Sequence, residues 1–331
     1  MNAPISDASW TRFDGIGRTP LGFEPTPLIP APRLAGALGL EPAGLLLKMD
    51  AHNGFGLGGN KVRKLEYELA PHRLEGITHL VTSGGVQSNH ARVTAAAAAR
   101  LGLECVLVLN GPEPKIPSGN ALLHRLFGAR IVSVDSREAR DPAMERVAEE
   151  IRTKGGRALV IPLGASSPLG ALGYVRAARE FVGQLAEVGG RPTTIFIASS
   201  SCGTVAGLTL GLAMAGRSDI RTVGVSADVS EGEILERASI LSAGAAELLG
   251  APDLTAPLIP EAGFVGPGYG LPSPEGQEAQ ARFARAAGVI VDPVYTAKAA
   301  AAMHAWIESG RIGRDERVVF WHTGGHPAVL A

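Results

Sequence analysis

Two stretches of this chain carry residue types that together could do chemistry. Gly58-Gly59-Asn60-Lys61-Val62-Arg63-Lys64-Leu65-Glu66 places a lysine at the start of a helix, directly after a glycine turn. Ser83-Gly84-Gly85-Val86-Gln87-Ser88-Asn89-His90 gathers small and hydrogen-bonding groups where a strand gives way to a helix. A lysine held over such a cluster is suited to carry an aldehyde cofactor as a Schiff base. Lys61, Arg63 and Lys64 share one first turn, where cations oppose the helix dipole. A solvated basic face is therefore a poor account of them. A helix N-terminus and neighbouring cations lower an amine's pKa and make it nucleophilic. Residues 54–59 also match G-x-G-x-x-G, but the preceding residues 48–53 are polar and too long for a dinucleotide turn. No acidic strand end follows about 20 residues on, as that turn requires.

Other segments have the same strand-then-helix character. Ser199-Ser200-Ser201-Cys202-Gly203-Thr204 follows an apolar run and opens a helix. It reads as a phosphate cradle of N–H groups and hydroxyls, with a serine-rich cap as the plain alternative. Cys202 reads as a small loop filler, because no paired base can be named. Ser88, Asn89 and His90 offer outward N–H groups for an anion, or simply a helix cap. Tyr269 lies in Gly266-Pro267-Gly268-Tyr269-Gly270, and Tyr295 and Thr296 begin a helix after Pro293. Isolated tyrosines more often pack than react. His322 and His326 have i, i+4 spacing, but Thr323-Gly324-Gly325 between them is not helical, so no metal site is expected. Asp50 and His52 take no role.

The elements that must position these groups follow from patterning. Apolar runs at 45–48, 80–83, 105–109, 131–134, 158–161, 194–198, 222–226 and 318–322 predict strands. Several are continuous, as parallel strands buried on both faces require. Helices are predicted over 87–101, 120–127, 142–153, 170–185, 205–215, 275–287 and 296–308, the alanines 95–99 continuing the first of them. Residues 254–274, with five prolines and four glycines, read as a long loop. The alternation predicts an α/β fold with mostly parallel sheets. Of 331 residues, 45% are apolar and only 5% aromatic, so the core is aliphatic. A net charge of −1 gives no basic footprint for nucleic acid or an anionic membrane. No apolar run is long enough to span a bilayer. Residues 1–14 lack the pattern of a cleaved leader, and two cysteines do not make a disulfide framework, so a cytoplasmic location is expected.

With these motifs assembled, the sequence resembles the family of D-cysteine desulfhydrase and 1-aminocyclopropane-1-carboxylate deaminase. It does so through Gly58-Gly59-Asn60-Lys61-x-Arg63-Lys64-Leu65-Glu66-Tyr67, Gly84-Gly85-Val86-Gln87-Ser88-Asn89-His90-x-Arg92, Asp292-Pro293-Val294-Tyr295-Thr296-x-Lys298 and His322-Thr323-Gly324-Gly325. These are pyridoxal-phosphate enzymes of the tryptophan synthase β-subunit fold, and the resemblance runs from about Thr19 to the C-terminus. It implies two α/β domains, a smaller one over 65–175 and a larger cofactor-binding one formed by 1–64 and 176–331. It implies that Lys61 carries pyridoxal 5'-phosphate and that Asn89 meets its phenolic oxygen. Ser201, Cys202, Gly203 and Thr204 would hold the phosphate, although Ser200 and Cys202 stand where this family commonly has glycine. His322 and Thr323 would line the cofactor ring. Ser88, Asn89 and His90 would bind a small amino-acid substrate, with Ser88, Tyr269 and Tyr295 assisting catalysis.

Thr296 would partner the pyridine nitrogen. The deaminase branch has glutamate there, and a neutral threonine favours prompt β-elimination over a long-lived carbanion. The expected activity is therefore β-elimination from a cysteine-like amino acid to pyruvate, ammonia and sulfide. Cysteate sulfo-lyase and the ring-opening deaminase are the alternatives. The resemblance also implies a homodimer.

Overall fold

The computed structural model describes residues 7–112, 114–189, 191, 193–252, 254–313 and 315–331. Residues 1–6, within the segment expected to lack a leader, lie outside them. Two sheets organise the chain. The strands are β1 (Leu28–Pro30), β2 (Leu45–Lys48), β3 (His79–Gly85), β4 (Glu104–Asn110), β5 (Arg130–Val134), β6 (Ala158–Val160), β7 (Thr193–Ser199), β8 (Arg221–Ser226), β9 (Leu258–Glu261) and β10 (Arg317–Trp321). The larger sheet runs β1-β2-β10-β7-β8-β9, and the smaller runs β5-β4-β3-β6. Every pairing is parallel except β1 with β2.

The continuous apolar runs have the physical reason expected of them. Successive side chains of a strand point to opposite faces. Leu45, Leu47, Phe196, Val318 and Phe320 pack in one cluster, while Leu46, Ile195, Ile197, Val319 and Trp321 pack in the other. Both faces of the larger sheet are covered by helices, so these central positions are apolar on either side. The smaller sheet repeats this, with Leu80, Cys105, Leu107 and Leu109 facing one side and Val81, Val106 and Val108 the other. The helix Asn89–Leu101 buries Ala95 to Ala98, whose small side chains let it lie close to β3 and β4.

Several elements lie outside the sequence expectation, among them the short strand β1, the helices Asp7–Gly15, Pro32–Ala37 and Pro71–Leu74, and two that bear on the larger sheet. The predicted loop over 254–274 contains β9, with Pro260 opposite Gly224 of β8. Proline is tolerated because β9 is an edge strand, where the missing N–H interrupts no ladder. The apolar patterning predicts no helix over Glu231–Leu249, yet the structure has one. Its buried stripe is Ile234, Ala238, Ser242, Ala245, Ala246 and Leu249, mostly small residues with little hydropathic contrast. Its start was legible, because Ser230 and Glu233 form a reciprocal capping box.

Three of the segments picked out for chemistry lie at the C-terminal ends of parallel strands, whereas the Lys61, Tyr269 and Tyr295 segments reach the same end from loops and helix starts. Gly84 and Gly85 end β3, Ser199 ends β7, and His322 and Thr323 follow β10. In open α/β sheets that end is where ligands bind.

Candidate active site

A cavity lies between the C-terminal ends of the two sheets, and Lys61 is in its wall. The helix Asn60–Glu68 delivers this lysine through the turn before it. Gly58 has φ +70°, and a Cβ there would come within 2.0 Å of the Ala51 carbonyl oxygen. Only glycine meets both constraints. Gly58→Ala is expected to cost ~3 kcal/mol of stability, read as a lowered midpoint in denaturant unfolding.

The Lys61 amine donates a 3.2 Å hydrogen bond to Asn60 Oδ1. Burial first, and then the Arg92 charge, push its pKa down to about 8, with Asp292 pulling it back. The cation acting on it is thus Arg92, not Arg63 in its own turn. Arg63 is held elsewhere, its guanidinium meeting Asp50 at 3.0 Å, Glu24 at 2.9 Å and Glu180 at 2.9 Å. Asp50 in turn accepts from the Trp321 indole at 2.8 Å and from the Tyr174 hydroxyl. This gives the unassigned Asp50 a role: it fixes the helix that carries Lys61. In the protein without cofactor, Lys61 is neutral above about pH 8. Amine-selective labelling followed by peptide mapping should therefore reach half its maximal rate at Lys61 near that pH, whereas a surface lysine does so near about 10.4.

Lys64 is the third cation of the turn, and the sequence left it without a task. It is fully buried, and burial first, then the Lys61 charge, push its amine well down. Its Nζ donates to Ser166 Oγ at 2.9 Å, and Ser166 donates on to Ser201 Oγ at 2.8 Å. It therefore backs the serine-rich loop from behind. Its position three residues after Lys61, on the same helix face, is the signal that could have shown this.

Ser88 caps the helix Asn89–Leu101, accepting from Ala91 N at 3.2 Å. A Cβ on Gly84 would lie 2.6 Å from Ser88 Oγ, so glycine there permits the turn. Asn89 Oδ1 accepts from Asn120 Nδ2 at 2.9 Å and from Arg92 Nη1 at 3.5 Å. Both contacts fall on its oxygen, so its Nδ2 is the group left for the cavity. Arg92 also donates to Gly58 O at 2.6 Å, tying the Lys61 turn to the Asn89 helix. His90 shares its Nε2 with Thr82 Oγ1 at 2.8 Å, and Thr82 donates to Ile161 O. Its Nδ1 has no partner among the described residues, and burial pushes the ring's pKa well down, so it stays neutral.

Ser199, Ser200, Ser201, Cys202 and Thr204 all line the cavity, at the N-terminus of the buried helix Gly203–Met214. Cys202 caps that helix with φ +62°, turning the loop so that hydroxyls and N–H groups converge. Its Sγ sits 3.6 Å from Ser199 Oγ and 3.3 Å from Ser200 O. Burial pushes its thiol up. It fills space and keeps its proton. Thr204 Oγ1 accepts from Asn60 Nδ2 at 3.0 Å, so the residue before Lys61 touches the loop directly.

Tyr269 and Tyr295 hydrogen-bond through their hydroxyls, with rings 5.9 Å apart edge to face, and both line the cavity. Burial pushes both phenols up. Thr323 and Gly324 line it as well. Thr296 and His322 are placed one layer behind. Thr296 is fully buried, and its hydroxyl donates to Asp292 Oδ1 at 2.6 Å while accepting from Asp292 N at 2.7 Å. His322 donates from Nε2 to Ile290 O at 2.7 Å and accepts from Gly324 N at its Nδ1, and burial pushes it down to about 4. His52 stacks on His326, and no group of three or more metal-ligating side chains occurs among the described residues. The charged lining residues to which the sequence gave no role are Asp292, quoted only within its motif, and Asp228, Arg137 and Arg140. Asp292 was legible as a turn residue, because its carboxylate accepts from the backbone of Val294, Tyr295 and Thr296. The other three gave no local signal.

Residues 19–324 match the family described as pyridoxal-phosphate dependent enzyme. The chain belongs to that family. A D-cysteine desulfhydrase of Salmonella choleraesuis (strain SC-B67) is 41% identical over 326 residues, covering 97% of this chain and 97% of that relative. A crystal structure described as an ACC deaminase homologue superposes with a TM-score of 0.87 at 33% identity, covering 98% of this chain and 97% of that one. Diaminopropionate ammonia lyase of Escherichia coli shares the fold at a TM-score of 0.68 and 18% identity, over 99% of this chain and 91% of that one. In this pyridoxal-phosphate-dependent enzyme the donor set fits the cofactor. A low-pKa lysine, a hydroxyl-rich helix N-terminus and the free Nδ2 of an asparagine would meet its aldehyde, phosphate and phenolic oxygen.

Proposed function

We propose that this enzyme is a carbon–sulfur lyase that removes the Cβ substituent from a cysteine-like amino acid, giving pyruvate, ammonia and sulfide. The observation that carries this is the 41% identity to D-cysteine desulfhydrase over 97% of both chains. Lys61 would hold the cofactor's aldehyde carbon, and Ser201, Cys202, Gly203 and Thr204 its phosphate. When bound, the cofactor supplies an electron sink for the pair left on Cα. The Lys61 amine takes the Cα proton, which its depressed pKa suits it to do near neutral pH. Ser88, Asn89 and His90 present a helix N-terminus to the substrate carboxylate. The Cβ–S bond breaks with its pair on sulfur. Tyr269 and Tyr295, whose phenols burial pushes up, would donate to that sulfur. The released enamine then takes up water to give pyruvate and ammonia.

Thr296 is proposed as the neutral partner of the ring nitrogen, which it meets by turning its hydroxyl away from Asp292. His322 supports the ring wall through Thr323. The ACC deaminase homologue keeps ring opening as a second reading. The four strands of the smaller sheet, all within 79–160, support taking 65–175 as the smaller domain. We propose that the enzyme works in the cytoplasm as a homodimer. Both cysteines are buried and free, and no helix among the described residues is long and apolar enough to cross a membrane.

The deciding experiment measures 2-oxo acid release, pyruvate from D-cysteine, L-cysteine, L-cysteate and β-chloroalanine and 2-oxobutanoate from 1-aminocyclopropane-1-carboxylate. Fastest release from a cysteine supports the proposal. Turnover of the cyclopropane substrate alone, to 2-oxobutanoate, would overturn it.

A further inference from the structure

Lys298 closes the motif that begins at Asp292, yet no step above gives it a task. It is the third residue of the helix Thr296–Glu308, in a first turn where a cation opposes the helix dipole. It is buried, and no carboxylate lies within ion-pair distance of it among the described residues. Its Nζ donates instead to Val265 O at 2.7 Å, Gly268 O at 2.9 Å and Ala227 O at 3.3 Å. An ammonium has three donors and no acceptor, so the three carbonyls use it completely. A neutral amine would turn its lone pair on one of them. Burial pushes the amine's pKa down, and the more distant charges of Asp228 and Asp292 pull it back.

The three carbonyls belong to two segments that reach the cavity. Val265 and Gly268 lie just before Tyr269, and Ala227 precedes Asp228; Tyr269 and Asp228 both line the cavity. Within residues 264–272 the backbone–backbone hydrogen bonds among the described residues are long, Val265 N to Ala262 O at 3.4 Å and Leu271 N to Gly268 O at 3.3 Å. The two shorter bonds from Lys298 are the firmest ties on that backbone. At its other end Tyr269 meets the Tyr295 hydroxyl, and Tyr295 is the residue that opens the helix of Lys298. One helix start therefore holds Tyr269 twice, by its hydroxyl and by the backbone before it. Backbone carbonyls gathered in this way are also the ligands that a potassium ion accepts in place of its hydration shell.

We propose that Lys298 is a positioning residue: its ammonium fills a monovalent-cation site made of three backbone carbonyls, and so holds the Tyr269 hydroxyl where the sulfur departs. This rests on the β-lyase reading, in which Tyr269 donates to that sulfur. The chain carries its own cation, and wild type needs none from solution.

The test compares wild type, Lys298→Ala and Lys298→Met as holoenzymes, in potassium chloride and in tetramethylammonium chloride of equal ionic strength. Alanine empties the carbonyl site and leaves room for an ion, whereas methionine keeps the apolar stem and blocks it. Hydrogen exchange of the peptide covering 262–272 is expected to quicken about tenfold in both variants, and potassium should slow it again in Lys298→Ala alone. Exchange at the wild-type rate in Lys298→Met overturns the proposal. So does a Lys298→Ala that potassium does not change, or failure of both variants to fold, which would make the lysine a core residue only. Turnover then separates positioning from general damage. A thiolate leaving D-cysteine gains from a proton donor, and chloride leaving β-chloro-D-alanine does not. For D-cysteine, kcat should fall about 10–100-fold in both variants, the effect of moving a catalytic group by about 1 Å, and potassium should restore it in Lys298→Ala. For β-chloro-D-alanine, kcat should stay within about threefold of wild type. Equal losses on the two substrates overturn the positioning role. If wild type releases pyruvate from neither, the lyase reading fails, while hydrogen exchange still decides whether Lys298 holds the loop.

Discussion

Lys61→Ala is expected to lower pyruvate release by about four orders of magnitude, to the background of the assay. A positioned general base alone contributes roughly 10²–10⁴-fold, and this lysine is assigned the covalent hold on the cofactor as well. The fold should survive. The amine makes one 3.2 Å hydrogen bond and stands outside the ionic cluster beneath it. Removing it also removes a buried charge that the surroundings oppose. Lys61→Arg sharpens the test, because a guanidinium keeps its proton at every working pH and can serve neither as base nor as nucleophile. Both variants should therefore lose activity with unfolding midpoints close to wild type. Activity within about tenfold of wild type in either would contradict the assignment of the base.

Arg63→Leu is expected to destabilise the protein by about 3–5 kcal/mol, the cost of breaking a buried ion pair from one side. Leucine leaves Asp50 and Glu180 facing each other across a dry cluster, with Lys48 the nearest cation. Burial alone would raise the Asp50 carboxyl; the Arg63 charge, and then Lys48, reverse that and hold it below the usual carboxylate range. A depressed carboxyl contributes stability that is present above its unfolded pKa and lost as pH falls through the folded one. In Arg63→Leu the carboxyl rises instead, and protonation relieves the unpaired charge. The gap between wild type and variant, read from urea unfolding, should therefore narrow as pH falls from about 7 to about 4. A gap that is constant or widening would mean that the cluster does not depend on this charge pairing.

The sequence made the strands legible wherever they are buried on both faces, because such strands carry apolar runs that the few polar residues in them, such as Lys48, Thr194 and Thr222, do not break up. β9 was hidden by Pro260 and by the glycines beyond it, which carry the same signal as a loop. The helix Glu231–Leu249 was hidden by its small buried residues. Around the site, groups whose role follows from a local motif were readable. Lys61 after its glycine turn, Ser88 as cap and the hydroxyls of 199–204 are of this kind. Groups whose role depends on distant partners were not. The three cations of residues 61–64 looked like one electrostatic device, yet they divide three ways. Lys61 faces the cavity, Arg63 binds carboxylates from three other segments, and Lys64 supports the loop through Ser166. The cation that acts on Lys61 is Arg92, from another helix. Arg137 meets Asp228 across 91 positions of sequence, and no spacing rule reaches that far.

The account's central claim is that the amine of Lys61 holds the cofactor. The direct measurement is borohydride reduction of the purified yellow protein, followed by proteolysis and mass mapping. A phosphopyridoxyl group on the peptide carrying Lys61, with the yellow colour bleached, is the predicted result. The same group on Lys64, Lys298 or another lysine, or none on any peptide of a coloured protein, would contradict it.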